Sequence, residues 1–145
     1  MRVQKQNKKM DVERIVQALG HVLRGRREIV AAYLFGSAAQ GRMHKESDID
    51  IGILLDGKYK ADALYTSKVA RIVNESLALK TEADVRILNN ASSRFLFQVI
   101  KNGKLLMSKD ERERVLFETD AISRYLDFKP FYRMYDEKRH ERLCA

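Results

Sequence analysis

The sequence predicts an α/β fold, a small mixed or antiparallel sheet flanked by helices, and three observations carry that reading. Short runs of strand type, at Ile29–Phe35, in a second strand that carries Asp48 and Asp50 and is ended by Gly57, and at about Glu82–Leu88, are separated by longer stretches whose apolar residues recur at three- and four-residue spacing. The joints between them carry turn residues: Gly36-Ser37, Gly57, Asn89-Asn90 and Asn102-Gly103. A length of 145 residues, 45% hydrophobic and 33% charged, suits one globular domain with a real core.

Residues 1–10 form a basic tail, expected to be disordered, with Arg2, Lys5, Lys8 and Lys9 and no acid. They supply half of the formal net charge of +8. Such an arm is able to touch RNA or an acidic partner, and a solubilising leader explains it equally well. The domain proper is expected over 11–128. Asp11 is placed to cap a first helix whose inner stripe is Val12, Ile15, Val16, Leu19, Val22 and Leu23, with Gly20 a mild interruption. A second helix is expected over 58–78, with Ala61, Leu64, Val69, Ile72, Val73 and Leu77 facing inward.

Ser92 or Ser93 then caps a helix near 94–101, with Phe95, Leu96, Val99 and Ile100 as core, and Lys104 to Met107 adds a short strand. Helical periodicity returns over 109–125, through Val115, Leu116, Ile122 and Leu126. Pro130, the only proline, is expected to separate a final charged and aromatic helix or tail, making 129–145 a segment of its own. That end is suited to a protein or RNA partner, or to packing on the body with its charges solvated. There is no apolar run of membrane-spanning length and no signal-peptide pattern, and Cys144 has no second cysteine to pair with. The expected location is the cytoplasm.

The chemistry concentrates between Ala31 and Leu55. In a strand, residues two apart share a face, so Asp48 and Asp50 are expected side by side while Ile49 and Ile51 enter the core. Paired carboxylates embedded in apolar sequence repel unless a cation lies between them, which points to a divalent metal with oxygen ligands. A solvated edge, the plain alternative, fits the apolar surroundings less well. Gly36 leaves backbone N–H groups open to an anion, and Ser37 adds a hydroxyl. On the next strand Glu82, Asp84 and Arg86 share a face. A third carboxylate there would suit two-metal phosphoryl transfer, and an Asp84–Arg86 surface pair is the plain alternative.

Gly36-Ser37, ten intervening residues and then Asp48-x-Asp50, with Gly41 and Ser47 in the gap, resembles the signature of the polymerase-β-type nucleotidyltransferases. The specific likeness covers residues 35–55 and extends more weakly to Met107. The compact layout is most similar to the minimal nucleotidyltransferases that act as antitoxins paired with a HEPN-domain toxin. The resemblance implies a nucleotidyltransferase-like fold, a two-ion Mg²⁺ site held by Asp48, Asp50 and Asp84, and ATP held by Gly36, Ser37, Arg42 and Ser47. It selects Asp84 over Glu82 as base and third ligand. The implied reaction moves AMP to a hydroxyl, namely a tyrosine of the partner HEPN ribonuclease, with no membrane and no obligatory RNA contact. Gln40 departs from the pattern, since relatives often carry arginine there, but Arg42 and Lys45 are close enough to substitute. An antitoxin that only sequesters its toxin, and an antibiotic-type enzyme acting on a small molecule, are the rival readings. Enzymes of the latter kind usually carry an extra helical domain.

Overall fold

The computed structural model describes residues 12–40, 49–78 and 82–144. Its elements run α1 (Val12–Arg24), β1 (Ile29–Phe35), α2 (Gly36–Ala39), β2 (Ile49–Leu55), α3 (Tyr65–Leu77), β3 (Ala83–Ile87), α4 (Ser93–Asn102), β4 (Lys104–Ser108) and α5 (Glu111–Cys144). The basic tail and Asp11 lie outside the described residues.

The sheet is mixed, in the order β3-β2-β1-β4. β1 runs antiparallel to both β2 and β4, and β2 runs parallel to β3. One face carries Ala32, Leu34, Ile49, Ile51, Ile53, Ala83 and Val85 and packs under α1 and α3. Tyr33, Phe35 and Leu54 point to the other face, which packs against α4 and α5. Ile49, Ile51 and Ile53 are fully buried, as their place in an inner strand requires. Gly20, read from sequence as a weak point of α1, is a close-approach site: a Cβ there would meet the Leu106 carbonyl oxygen at 2.5 Å.

Three expectations need correction. The helix expected from residue 58 begins at Tyr65, with the Asp56 and Asp62 carboxylates engaged in the preceding turns, Asp62 on an N–H that a longer helix would have used. Asp56 Oδ1 accepts from the Lys58 N–H at 2.9 Å, and Asp62 Oδ1 from the Leu64 N–H at 2.9 Å. Leu64, placed on the inner stripe, is therefore exposed. Pro130 does not break the last helix: α5 continues for 34 residues. α4 holds it on both sides of the proline. Tyr125 stacks on Phe97 with centroids 3.9 Å apart, Tyr132 shares a 2.8 Å hydrogen bond with Ser93, and Asp136 forms a two-point ion pair with Arg94. Finally, Val115, Leu116 and Leu126 face outward, while Arg114, Phe117, Glu118, Ala121 and Tyr125 make the packed side. The Tyr33 hydroxyl donates to Glu118 Oε1 at 2.6 Å, tying α5 to the middle of β1. Among the described residues no helix is long and apolar enough to cross a membrane.

Candidate active site

The sheet register assembles the site at the end of β1. Asp50 on β2 is paired with Phe35 on one side and with Asp84 of β3 on the other. Directly paired residues of neighbouring strands point to the same face and stand about 4.8 Å apart across the sheet, so the two carboxylates are immediate neighbours. Asp50 is half-buried, and Asp84, on an edge strand, is 47% exposed. Of the residues singled out from sequence, the structure therefore brings Asp50, Asp84, Gly36 and Ser37 together. Asp48, Arg42 and Ser47 lie outside the described residues, as do Gly41, His44 and Lys45. Glu82 stands just before β3, off the Asp50 register.

Gly36 takes φ +70°, and a Cβ on it would stand 2.3 Å from Asp50 Oδ2. Only glycine lets the chain turn here against the carboxylate. The turn opens the single-turn α2, where Phe35 offers no side-chain cap to the first N–H groups. These amides, with the half-buried Ser37, form the wall beside Asp50.

The floor behind the acids is aromatic. Phe35 meets Phe95 of α4 edge to face, with centroids 5.4 Å apart, and the Arg86 guanidinium lies 5.5 Å from the centre of the Phe95 ring. Arg86 Nε also reaches Asp84 Oδ2 at 3.4 Å. The surface pair considered from sequence is thus present, and it coexists with the acid pair. Phe95 was legible only as a core residue, because nothing in a helix stripe announces which sheet end it covers. A separate polar groove of about 480 Å³ runs along the outer edge of β3 against α3, lined by Thr66, Arg71, Asn74, Glu75 and Glu82 among others, and bordered by Asp84.

Among the described residues the donors at the site are carboxylate oxygens, which suits Mg²⁺ or another hard cation. Among the described residues no group of three or more His, Cys, Asp or Glu side chains is placed to hold a metal ion. The Asp50–Asp84 pair fits such an ion as a partial set, and the sequence supplies Asp48 one residue before β2.

Residues 17–112 match the family model for the polymerase beta nucleotidyltransferase domain. The chain belongs to the polymerase-β-type nucleotidyltransferases. The match runs from α1 through the start of α5 and includes every site residue named above. Among characterised members, this nucleotidyltransferase is 38% identical over 96 residues to the protein adenylyltransferase MntA of Shewanella oneidensis; the aligned part is 64% of this chain and 63% of that protein. It also resembles a chain from a crystal structure of a toxin–antitoxin with AMP-PNP, at TM-score 0.71 and 27% identity, covering 85% of this chain and 96% of that one. A likeness of fold, at TM-score 0.64 and 22% identity, extends to a chain from a structure of the tri-AMPylated Shewanella oneidensis HEPN toxin in complex with MNT antitoxin, covering 92% of this chain and 98% of that one.

Proposed function

We propose that this protein is an antitoxin that transfers AMP from ATP to a tyrosine hydroxyl of a cognate HEPN-type ribonuclease toxin. The observation that carries the reading is the in-register Asp50–Asp84 pair with Gly36 pressed against it. Two comparisons support it: the likeness to a protein adenylyltransferase, and the likeness to a toxin–antitoxin chain crystallised with an ATP analogue. An ATP-consuming reaction on a ribonuclease belongs in the cytoplasm.

In this reading the amides at Gly36 and Ser37 hold the β- and γ-phosphates, with Arg42 and Ser47 as further contacts. Asp48, Asp50 and Asp84 hold Mg²⁺. The metal, when bound, neutralises triphosphate charge and stabilises the departing pyrophosphate. The acceptor oxygen bonds to the α-phosphorus as the bond from that phosphorus to the α,β-bridging oxygen breaks. Pyrophosphate leaves, and the hydroxyl proton passes to the Asp84 carboxylate. Half-exposure suits Asp84 to this task, since an acceptor on another protein has to reach it. The AMP group left on the toxin adds bulk and negative charge, both of which oppose RNA approach.

The test incubates the chain and its co-encoded HEPN protein with Mg²⁺ and α-labelled ATP. Wild type labels the partner, and Asp50→Asn and Asp84→Asn do not while still binding it. An unlabelled partner in a stable complex overturns the transfer reading and leaves neutralisation by binding.

A further inference from the structure

The contacts of Arg86 form the last link of a ring around Asp50. Phe35 precedes Gly36 and pairs with Asp50; Phe35 touches Phe95; Phe95 carries the Arg86 guanidinium; and Arg86 returns to Asp84, which pairs with Asp50 from the other side. Arg86 lies two residues beyond Asp84 on the same strand face, and its Nε reaches back to Asp84 while the side chain stays more than half exposed.

Only Nε is used in that contact. The two terminal nitrogens have no hydrogen-bond partner among the described residues, and the side chain is 57% exposed. An ion pair at 3.4 Å between two exposed groups adds little stability, so structural support is a poor account of this arrangement. The guanidinium lies over the ring of Phe95, 5.5 Å from its centre, a cation–π contact that favours this placement. On the opposite wall, Gly36 to Gln40 contributes no charge. Arg86 thus places an unused two-nitrogen fork beside the acid pair.

We propose that Arg86 is a substrate-binding residue of the adenylyl transfer, its terminal nitrogens taking non-bridging oxygens of the α-phosphoryl group. This rests on the reading given under Proposed function. A guanidinium fork matches two phosphoryl oxygens in spacing and plane, which an ammonium does not. Charge spreads over those oxygens as the group transfers, so the contact strengthens toward the transition state.

The experiment compares wild type, Arg86→Ala and Arg86→Lys as full-length chains with the partner protein. It measures label transfer, AMP-PNP binding by calorimetry, and rates with the two α-thio diastereomers of ATP. The expected result is a fall in kcat of roughly 10²-fold for Arg86→Ala, with an unchanged melting temperature and incomplete recovery in Arg86→Lys. AMP-PNP binding weakens about tenfold, the size of one charge-assisted contact. One α-thio diastereomer slows wild type but not Arg86→Ala, because the contact that sulfur disturbs is already gone. A wild-type kcat in Arg86→Ala overturns the proposal, and so does an equal sulfur effect in both proteins, which assigns Arg86 to supporting Asp84. Both results leave the transfer reading standing. If wild type transfers nothing while Arg86→Ala still weakens AMP-PNP binding, the transfer reading falls and the phosphate contact stands.

Discussion

Gly36→Ala tests the corner on which the site depends, because it adds a single methyl group. That carbon would stand 2.3 Å from Asp50 Oδ2 and 3.3 Å from its Cγ, where ordinary contact begins at 3.4 Å. Restoring contact moves the carboxylate by roughly 1 Å, and a displacement of that size in a positioned group costs about 10²-fold in rate. The residue would also hold φ +70°, which costs a non-glycine residue about 1–2 kcal/mol. In a domain of this length that corresponds to a fall in Tm of about 3–8 °C. Gly36→Asn separates the two effects. Asparagine tolerates a positive φ, so its Tm should fall less, yet its Cβ meets the same oxygen and the rate loss should match that of alanine. The measurements are initial rates of label transfer and scanning calorimetry. A Gly36→Ala protein within about twofold of wild-type rate and about 1 °C of its Tm would refute the reasoning.

Further predictions concern what holds the site in place. Tyr33→Phe removes the 2.6 Å hydrogen bond to Glu118 and should lower unfolding free energy in urea by about 1–2 kcal/mol. Burial, reinforced by hydrogen bonding to the carboxylates Glu118 and Glu28 respectively, raises the pKa of Tyr33 and Tyr65 above the ordinary 10.0. The unfolded chain then releases these protons first, so their contribution is complete below pH 10 and is lost as pH rises above it. The slope approaches about 1.4 kcal/mol per pH unit for each tyrosine, and denaturant titrations of a Tyr33→Phe/Tyr65→Phe double variant should lack it. Pro130→Ala restores a backbone donor inside α5 and should raise stability by up to about 3 kcal/mol with helix content preserved. A lower Tm would show that the proline shapes the contact with α4.

The strands and the acids were the most legible features. β1 was read at its observed bounds, Ile29–Phe35, since a continuous apolar run ending at Gly-Ser has few other readings. Ser92 was among the two caps foreseen, and its side chain accepts the Phe95 N–H at 3.3 Å. Where the reading failed, a local contact had been weighed without its distant partner. Residues 58–64 carry helical spacing, but Asp62 captures the Leu64 N–H, which a helix begun at residue 58 would have used. Pro130 is a breaker by local rules, and the stack of Tyr132 on Tyr125 and of Tyr125 on Phe97 of α4, unseen in any single segment, outweighs it. The same limit applies at the site. Gly36 and Asp50 were legible as residue types at fixed spacing and Asp84 through the family resemblance, whereas Arg86 gained a candidate role only once its guanidinium was seen over Phe95 and beside Asp84.

The coupling of site to core follows from strand periodicity. Ile49, Ile51 and Ile53 alternate with Asp50, so the burial that seats the isoleucines also aims the carboxylate. A one-residue slip of β2 against β1 would bury the Asp50 carboxylate unpaired in the core under α1 and α3 and press isoleucines onto the face that α4 and α5 cover, where even a Cβ at Gly52 would stand 2.9 Å from Leu88. β3 is locked by the same logic through Ala83 and Val85, with Asp84 between them. The acid pair therefore needs no dedicated scaffold, because the hydrophobic register that folds the sheet also fixes which carboxylates meet. It follows that Val85→Ala, although its side chain enters the core on the face away from the proposed ligand contacts, should loosen the edge strand and weaken AMP transfer, an effect that lower temperature should partly reverse. If transfer were instead unchanged while Val85→Ala lowered Tm, the alignment of Asp84 would have to come from Arg86 and not from the sheet.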